Sequence, residues 1–589
     1  MKYPILKQLP VSRQIIDEFK GYNHNFRIGS GEFYDMKNLT SDNYPILSPR
    51  VKRGVYEANA TSPKGMIAKD KFCYVDGDYF VIDGEKTLIK GGLTSEYDSE
   101  GKTKPKTLIS MGAYVIIMPD KKYINTQDPN DNGSIEAKVT TSSDVVFSIS
   151  KIDGVGYENT NPGAEPPQNP TSGMLWLDTS EVPNSLKVYS ESEKKWSAIA
   201  TTYIKIESEG IGQGFQTYDA VTISGIEDES LASLNASTTI WARGDDFIVV
   251  TGVVDKVITQ KTPITVERRM PEMDFVIESD NRLWGCRYGM QNGVMVNEIY
   301  ASKLGDFKNW NSFMGISTDS YAASLGTDGH FTGAITHLGY PLFFKENYVH
   351  KVYGNYPANY QIQSTACRGV QTGCERSLAI VNEVLFYKAR SGVCSYDGSL
   401  PFEMSGALGD KTYGVATAGT LGNKYYISMR DEDDLYHLFV YDTKRGMWHR
   451  EDATEASLFC NFHGNLYYID RQDKQIKVVR GTGKGDVLEP SVKWEAISGI
   501  MGTESPDKKY VSRIDVRMRL DIGTRVVFFA EYDSSGTWEH LFTMTGRTLQ
   551  SFSVPIRPQR CDHLRLKIEG DGDAKIFSIC KTVEDGSDI

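Results

Sequence analysis

The sequence predicts an all-β protein: a β-propeller with an inserted small β region and a C-terminal β-sandwich. Three observations predict it. Between Asp280 and Gly398 the chain is a series of short aromatic and β-branched runs, each ended by Gly, Asn or Asp, as strands joined by tight turns require. Asn281-Arg282-Leu283-Trp284, Leu342-Phe343-Phe344-Lys345, Leu385-Phe386-Tyr387-Lys388 and Gly392 to Gly398 mark them. The runs recur at roughly 40 to 50 residues, the period of a four-stranded blade. The chain also holds 54 Gly and 33 Tyr, with few long helix-forming runs, which favours strands.

The 589 residues exceed one ordinary core and predict about two to four domains. Residues 1–63 read as an extended N-terminal docking arm. Its aromatics alternate with turn formers and prolines, and alone it buries too little to order itself. Residues 64–126 read as the first part of the propeller, with hairpins at Phe72–Gly84 and Tyr114–Asn125. Residues 127–262 read as inserted small β modules: a proline-rich linker at Asn161–Pro170 leads into a Trp/Tyr-rich unit at 169–196. Residues 263–485 resume the propeller. Residues 486–589 alternate strictly at Ser512–Leu520, Arg525–Ala530 and Leu564–Ile568, as strands of a sandwich do.

Charge excludes one class of partner. Lys and Arg number 65 against 77 Asp and Glu, a net of −12, which repels nucleic acid rather than wrapping it. The eight cysteines form no CxxC pair and read as small buried apolar residues in a reducing compartment. Cys367 and Cys374, the closest pair, lack further metal ligands. No signal peptide opens the chain, and no apolar run reaches about 18 residues, so no membrane-spanning segment is expected.

The search for chemistry finds no HExxH, GxSxG, P-loop or strand-linked GxGxxG. Asp128–Gly133 begins like an EF-hand loop, but Val139 stands where a glutamate is needed. Tyr532–Trp538 resembles a single sialidase-type Asp box and reads as a hairpin turn. Trp176, Tyr189 and Trp196 read as the core of a very small unit or as a sugar-stacking platform. Arg513, Arg517, Arg519, Arg557, Arg560, Arg565 and Lys567 read as solvated strand positions or as a DNA face. No catalytic, cofactor or metal residue is singled out, and the chain is expected not to be an enzyme and to need no cofactor.

The chain resembles tailed-phage tail nozzle or tail hub proteins of the head–tail conduit, which are β-propellers. The resemblance rests on Gly31-Glu32-Phe33-Tyr34-Asp35-Met36-Lys37-Asn38-Leu39 with Pro45 to Arg50, on Asn281–Trp284 with Ile299–Ser302, on Gly392–Gly398, and on Trp494-Glu495 with Lys509–Arg513. The segment from Asn169 to Tyr189 is similar to a small module of phage tail proteins. The resemblance implies a structural subunit of a virion tail or neck, assembled in the bacterial cytoplasm. Implied partners are further copies in a ring, a hexamer by family habit, and a portal, adaptor or other tail protein. Genomic DNA would pass through without sequence-specific binding, kept from sticking by an acidic lumen. Two other readings stand beside it: a tail-associated adhesin binding host-surface glycan, and a glycan-cleaving propeller, which needs two facing carboxylates.

Overall fold

The computed structural model describes residues 11–56, 60–98, 101–291, 293–313, 315–481, 487–502, 509–546, 550–555 and 559–584. Among them, seven blades follow one another: five are separate four-stranded sheets, the sixth is four strands of a larger sheet, and the seventh lies in a five-stranded sheet. Blade 1 comprises Pro63–Ala68, Phe72–Asp76, Tyr79–Ile82 and Glu85–Leu88, and blade 2 runs from Thr107–Met111 to Asn132–Ser134. The stretch expected to open the propeller is therefore two whole blades. Blades 3, 4 and 5 begin at Phe275–Ser279, Phe331–His337 and Ala379–Val381. Blade 6 spans Tyr413–Leu421 to Met447–Arg450. Blade 7 has three strands of its own, Ala456–Phe462, Asn465–Asp470 and Ile476–Val478, and takes its fourth from far upstream: Gly54 and Val55 pair with Val478 and Lys477.

Packing between blades closes the ring. Blade 1 meets blade 2 through Val75, Phe80, Val115 and Ile117, and blade 2 meets blade 3 through Ile116, Tyr123, Leu283 and Trp310. Trp284 and Ile299 of blade 3 pack on Phe343 and Val352 of blade 4. Blades 4, 5 and 6 share one core around Phe344, Tyr387 and Tyr425. Leu438 and Val440 lead to Leu466 and Tyr468 in blade 7, whose Tyr467 and Ile469 return to Phe72 and Val81 of blade 1. Each blade buries both faces against its neighbours, which is why its strands read as near-continuous apolar runs.

The N-terminal segment docks on its own fold. Tyr22 pairs with Trp448 of blade 6, and Gly21 and Tyr22 run parallel to Glu32 and Phe33. Glu32–Lys37 then pairs with Lys493–Ser498 of the C-terminal unit, so blade 6 and a sandwich sheet form one continuous ten-stranded sheet. Gly21 has φ +87°, and a Cβ there would lie 2.4 Å from the Trp448 carbonyl oxygen, so only glycine lets these backbones meet. Val11–Ile16 edges the second sandwich sheet against Ala574–Glu584. Residues 1–10 of the expected arm lie outside the described residues.

Two arginines lock the closure. Arg53 donates to Glu451 at 2.6 Å and to Asp452 at 2.9 Å, and Arg50 grips Glu489 through both terminal nitrogens at 2.7 and 2.9 Å. Both arginines and Glu451 are buried. Burial alone would push Asp452 up, but the Arg53 and Arg50 guanidiniums outweigh it and hold the carboxyl well below its usual range.

The insertion is a domain with its own core. Its paired strands begin at Ala137 and end at Arg268, which face each other in register, so the expected bounds of 127 and 262 shift to this pair. Two sheets enclose Phe147, Ile204, Ile206, Val221, Ile223, Ile248 and Val266. The Trp/Tyr-rich unit is a separate three-stranded sheet, Leu175–Asp178, Ser185–Ser190 and Lys195–Ala198, looped out between two strands of that domain. No helix among the described residues is long and apolar enough to cross a membrane.

Candidate functional site

The blades converge on an axial cavity of about 920 Å³. Its wall is made from first strands: Thr107–Ser110 of blade 2, Phe275–Glu278 of blade 3, Ala334–Thr336 of blade 4, Val415–Thr417 of blade 6 and Ser457 of blade 7. Blade 5 contributes the 3-10 turn Glu375–Ser377 that precedes it. Side chains alternate across each strand, so one residue in two faces the axis and its neighbours bury themselves between blades.

The segment joining blades 1 and 2 lines the cavity with Glu96, Asp98 and residues 103–105. It is pinned to blade 7 by charge. Lys102 Nζ lies 2.6 Å from Glu455, Arg471 Nε lies 3.4 Å from the same carboxylate, and the Arg471 guanidinium also binds Asp98. On the other side Arg376 Nη2 donates to the Pro105 carbonyl at 2.7 Å. Desolvation depresses the basicity of Arg376, opposed by adjacent Glu375. Among the described residues no carboxylate lies within ion-pair distance of Arg376, and Glu375 has no hydrogen bond. The cavity thus presents a cation and an anion side by side, with donor and acceptor capacity unspent. Glu278, by contrast, accepts from the Asn281 amide and caps its own hairpin.

The other candidates fall elsewhere. Trp176 is buried, donates to the Gly163 carbonyl at 2.9 Å and meets Trp196 edge-on at 5.6 Å. Tyr189 is tilted 56° to Trp196. These rings pack on one another within their three-stranded sheet, and Lys187 Nζ covers the face of Trp176 at 4.9 Å. Asp128 caps its own loop by accepting from the Asn130 amide, and no metal-ligating cluster occurs among the described residues. Asp533 of the Asp-box-like turn accepts from the Asp562 and His563 amides, so the turn ties a hairpin to the next strand. Arg513, Arg517 and Arg519 lie on one sandwich sheet and Arg565 and Lys567 on the other, with Arg560 on a short strand beside the first. They form no single basic face. Arg557 lies outside the described residues. Cys374 is buried, donates to the Gly414 carbonyl, and burial pushes its thiol up to about 12. Sequence reasoning missed Glu375 and Arg376, since a charged pair in a loop carries no motif.

Burial raises two carboxyls above their usual range, Asp306 and Glu495. Asp306 lies where the insertion meets the propeller, in the field of Lys308 and Asp219. Glu495 lies in the shared sheet. Neither lines the axial cavity.

No family model and no curated protein matches the chain. Among solved structures it is similar to an exo-β-1,3-galactanase from Phanerochaete chrysosporium, at 8% identity over 52% of this chain and 94% of that one, with a TM-score of 0.20. It is similar to BamB from Moraxella catarrhalis at 9% identity over 50% and 96%, with a TM-score of 0.21. It is also similar to a Trypanosoma rangeli sialidase in complex with sialic acid, at 11% identity over 84% and 94%, with a TM-score of 0.21. Likeness this distant identifies no substrate or reaction. It does correct one expectation: with a galactanase and a sialidase among the similar folds, the exclusion of an enzyme does not stand. The chain is an all-β propeller with an inserted β domain and a C-terminal sandwich.

Proposed function

We propose that this chain is a glycan-recognising propeller subunit of a tailed-phage tail, acting at the host surface. The axial cavity is the observation that supports the reading most directly. At about 920 Å³ it matches the size of small-ligand sites, which are concave and carry a few polar groups at fixed positions. A saccharide offers hydroxyls that donate and accept, together with apolar C–H faces. Glu375 accepts, Arg376 donates, and Ile109, Met273 and Ile335 supply apolar wall between them. The phage setting comes from the resemblance of the Gly31–Arg50 segment and the blade motifs.

The test is binding of host cell-wall oligosaccharide to the full-length protein and to Glu375→Gln and Arg376→Ala, read by calorimetry. Loss of at least about tenfold in affinity, about 1.4 kcal/mol, is expected for Arg376→Ala. Unchanged affinity in both variants would remove the cavity from the account. Glycan turnover by the wild type that is lost in Glu375→Gln would make the cavity catalytic as well.

A second reading, a ring subunit of the conduit, is favoured by a different observation. Val11–Ile16 is an edge strand with Val11 56% and Ile15 61% exposed, open to pairing with a neighbouring copy. Light scattering with and without a portal or adaptor ring tests it. A closed ring would support this reading, and a monomer under both conditions would overturn it.

A further inference from the structure

Tyr218 adopts a backbone conformation that tyrosine rarely takes. Its φ is +74°, and it is the only Phe, Tyr or Trp among the described residues in the left-handed region. Asparagine, aspartate and glycine fill most such positions because a Cβ is crowded there. The conformation is held by two hydrogen bonds: the Tyr218 amide donates to Ile240 at 2.6 Å, and the Ile240 amide donates to Asp219 at 3.0 Å. A residue held in strain while its side chain points into solvent calls for a functional reason. Tyr218 is 59% exposed.

That ring is one wall of an aromatic corner. Tyr218 meets Trp241 at 6.0 Å with planes 86° apart, and Trp241 meets Tyr203 at 6.0 Å and 73°. The indole is fixed by its Nε1, which donates to Thr251 Oγ1 at 2.9 Å, and Thr251 is the cross-strand partner of Tyr203. Tyr157, from the loop ahead of the three-stranded unit, follows Gly156, which bridges Ser150, the cross-strand partner of Tyr203. Four aromatic side chains from four stretches of chain thus gather on the insertion. The hydroxyls of Tyr157, Tyr203 and Tyr218 make no hydrogen bond to any described residue. This differs from the Trp176, Tyr189 and Trp196 group, whose rings are spent on their own small core.

We infer that Tyr218, Trp241, Tyr203 and Tyr157 form a second saccharide site, which takes a pyranose unit of a neutral oligosaccharide. Two ring planes near a right angle receive the C–H face of a pyranose on one wall and its edge on the other. The free phenol hydroxyls meet the sugar hydroxyls. Lys151 Nζ lies 6.0 Å from the Tyr157 ring centroid, but among the described residues no cation lies over the Tyr203, Tyr218 or Trp241 rings, and the protein's net charge of −12 disfavours an acidic glycan. Tyrosine and tryptophan give much contact area for little loss of side-chain freedom. The inference rests on the glycan reading above but places a site on the insertion, apart from the axis.

The test is calorimetric titration of the full-length protein with chitotetraose, cellotetraose and maltotetraose, in wild type, Tyr218→Gly, Trp241→Leu and Arg376→Ala. Glycine accepts φ +74° without strain, so Tyr218→Gly removes the ring while its thermal midpoint stays level or rises. The expected result is two bound equivalents in the wild type and loss of one, or at least a tenfold weakening of it, in Tyr218→Gly and in Trp241→Leu. If Arg376→Ala abolishes all binding and Tyr218→Gly binds within twofold of wild type, the corner is overturned and the axial reading stands. If Tyr218→Gly abolishes all binding and Arg376→Ala changes nothing, the corner stands and the axial reading falls. A wild-type protein that binds none of the three sugars overturns both.

Discussion

The N-terminal segment and the insertion are both additions to a plain propeller, and they are attached in opposite ways. The N-terminal segment has no core of its own. It supplies the fourth strand of blade 7, bridges blade 6 to the sandwich and edges the second sandwich sheet. The insertion encloses a complete core of its own and leaves the propeller through two strands that pair with each other. One addition is inseparable from the fold, whereas the other can vary without unmaking it.

The largest expected effect breaks the first half of that comparison. Arg53→Ala removes the shorter cation contacts of Glu451 and Asp452, at 2.6 and 2.9 Å, and leaves them only Arg50 at 3.6 and 3.4 Å. Removing one partner of a buried ion pair costs about 3–5 kcal/mol, so urea unfolding should move strongly toward lower concentrations. A shift of less than about 1 kcal/mol would mean that the closure does not depend on this pair.

Next comes the core of the insertion. Ile206→Ala removes a fully buried side chain and is expected to cost about 2–5 kcal/mol. The loss should be local: hydrogen exchange should rise across Val221–Ile223 and Ile248–Val250 while blade 5 stays protected. Equal loss of protection in blade 5 would show that the two units unfold as one.

Acid separates the two attachments by a smaller margin. Asp452 and Glu489 would be raised by burial, but their arginine partners outweigh it and leave both below the usual carboxylate range. Their folded-state values lie below the unfolded ones. The stability they confer is therefore complete above about pH 4, the ordinary carboxylate range, and is lost as pH falls through the depressed values. Exchange protection at Gly54 and Val55 should fall on acidification before that of Ile204 and Ile206. The reverse order would contradict the role given to the arginines. The smallest effect belongs to Lys195→Ala. It removes an exposed pair with Glu193 and should leave the melting curve unchanged, as isolated surface pairs contribute about 0–1 kcal/mol.

What was legible in the sequence follows the same division. Hairpins such as Phe72–Asp76 with Tyr79–Ile82 declare themselves, because alternation and turn residues are local. The closing pair of Gly54 and Val55 with Val478 and Lys477 does not, since two residues more than 400 positions from their partners carry no periodic signal. The last strand of blade 2, Asn132–Ser134, is polar and short, so the expected insertion began too early. At the candidate sites, the tryptophans at 176 and 196 read from the sequence as a small core or a sugar platform, and they pack edge-on against each other. Glu375 and Arg376 sit in an unremarkable loop that only the ring of blades turns toward the axis. Tyr218 was hidden because backbone strain has no residue signature unless the position is a glycine.

Under the proposed function, this propeller holds a saccharide on its axis. The most direct measurement is a crystal structure of the full-length protein soaked with host cell-wall oligosaccharide. Sugar density is expected in the axial cavity, with hydroxyls on Glu375 and Arg376. An axial cavity left without sugar, in crystals whose open channels admit the ligand, would contradict it.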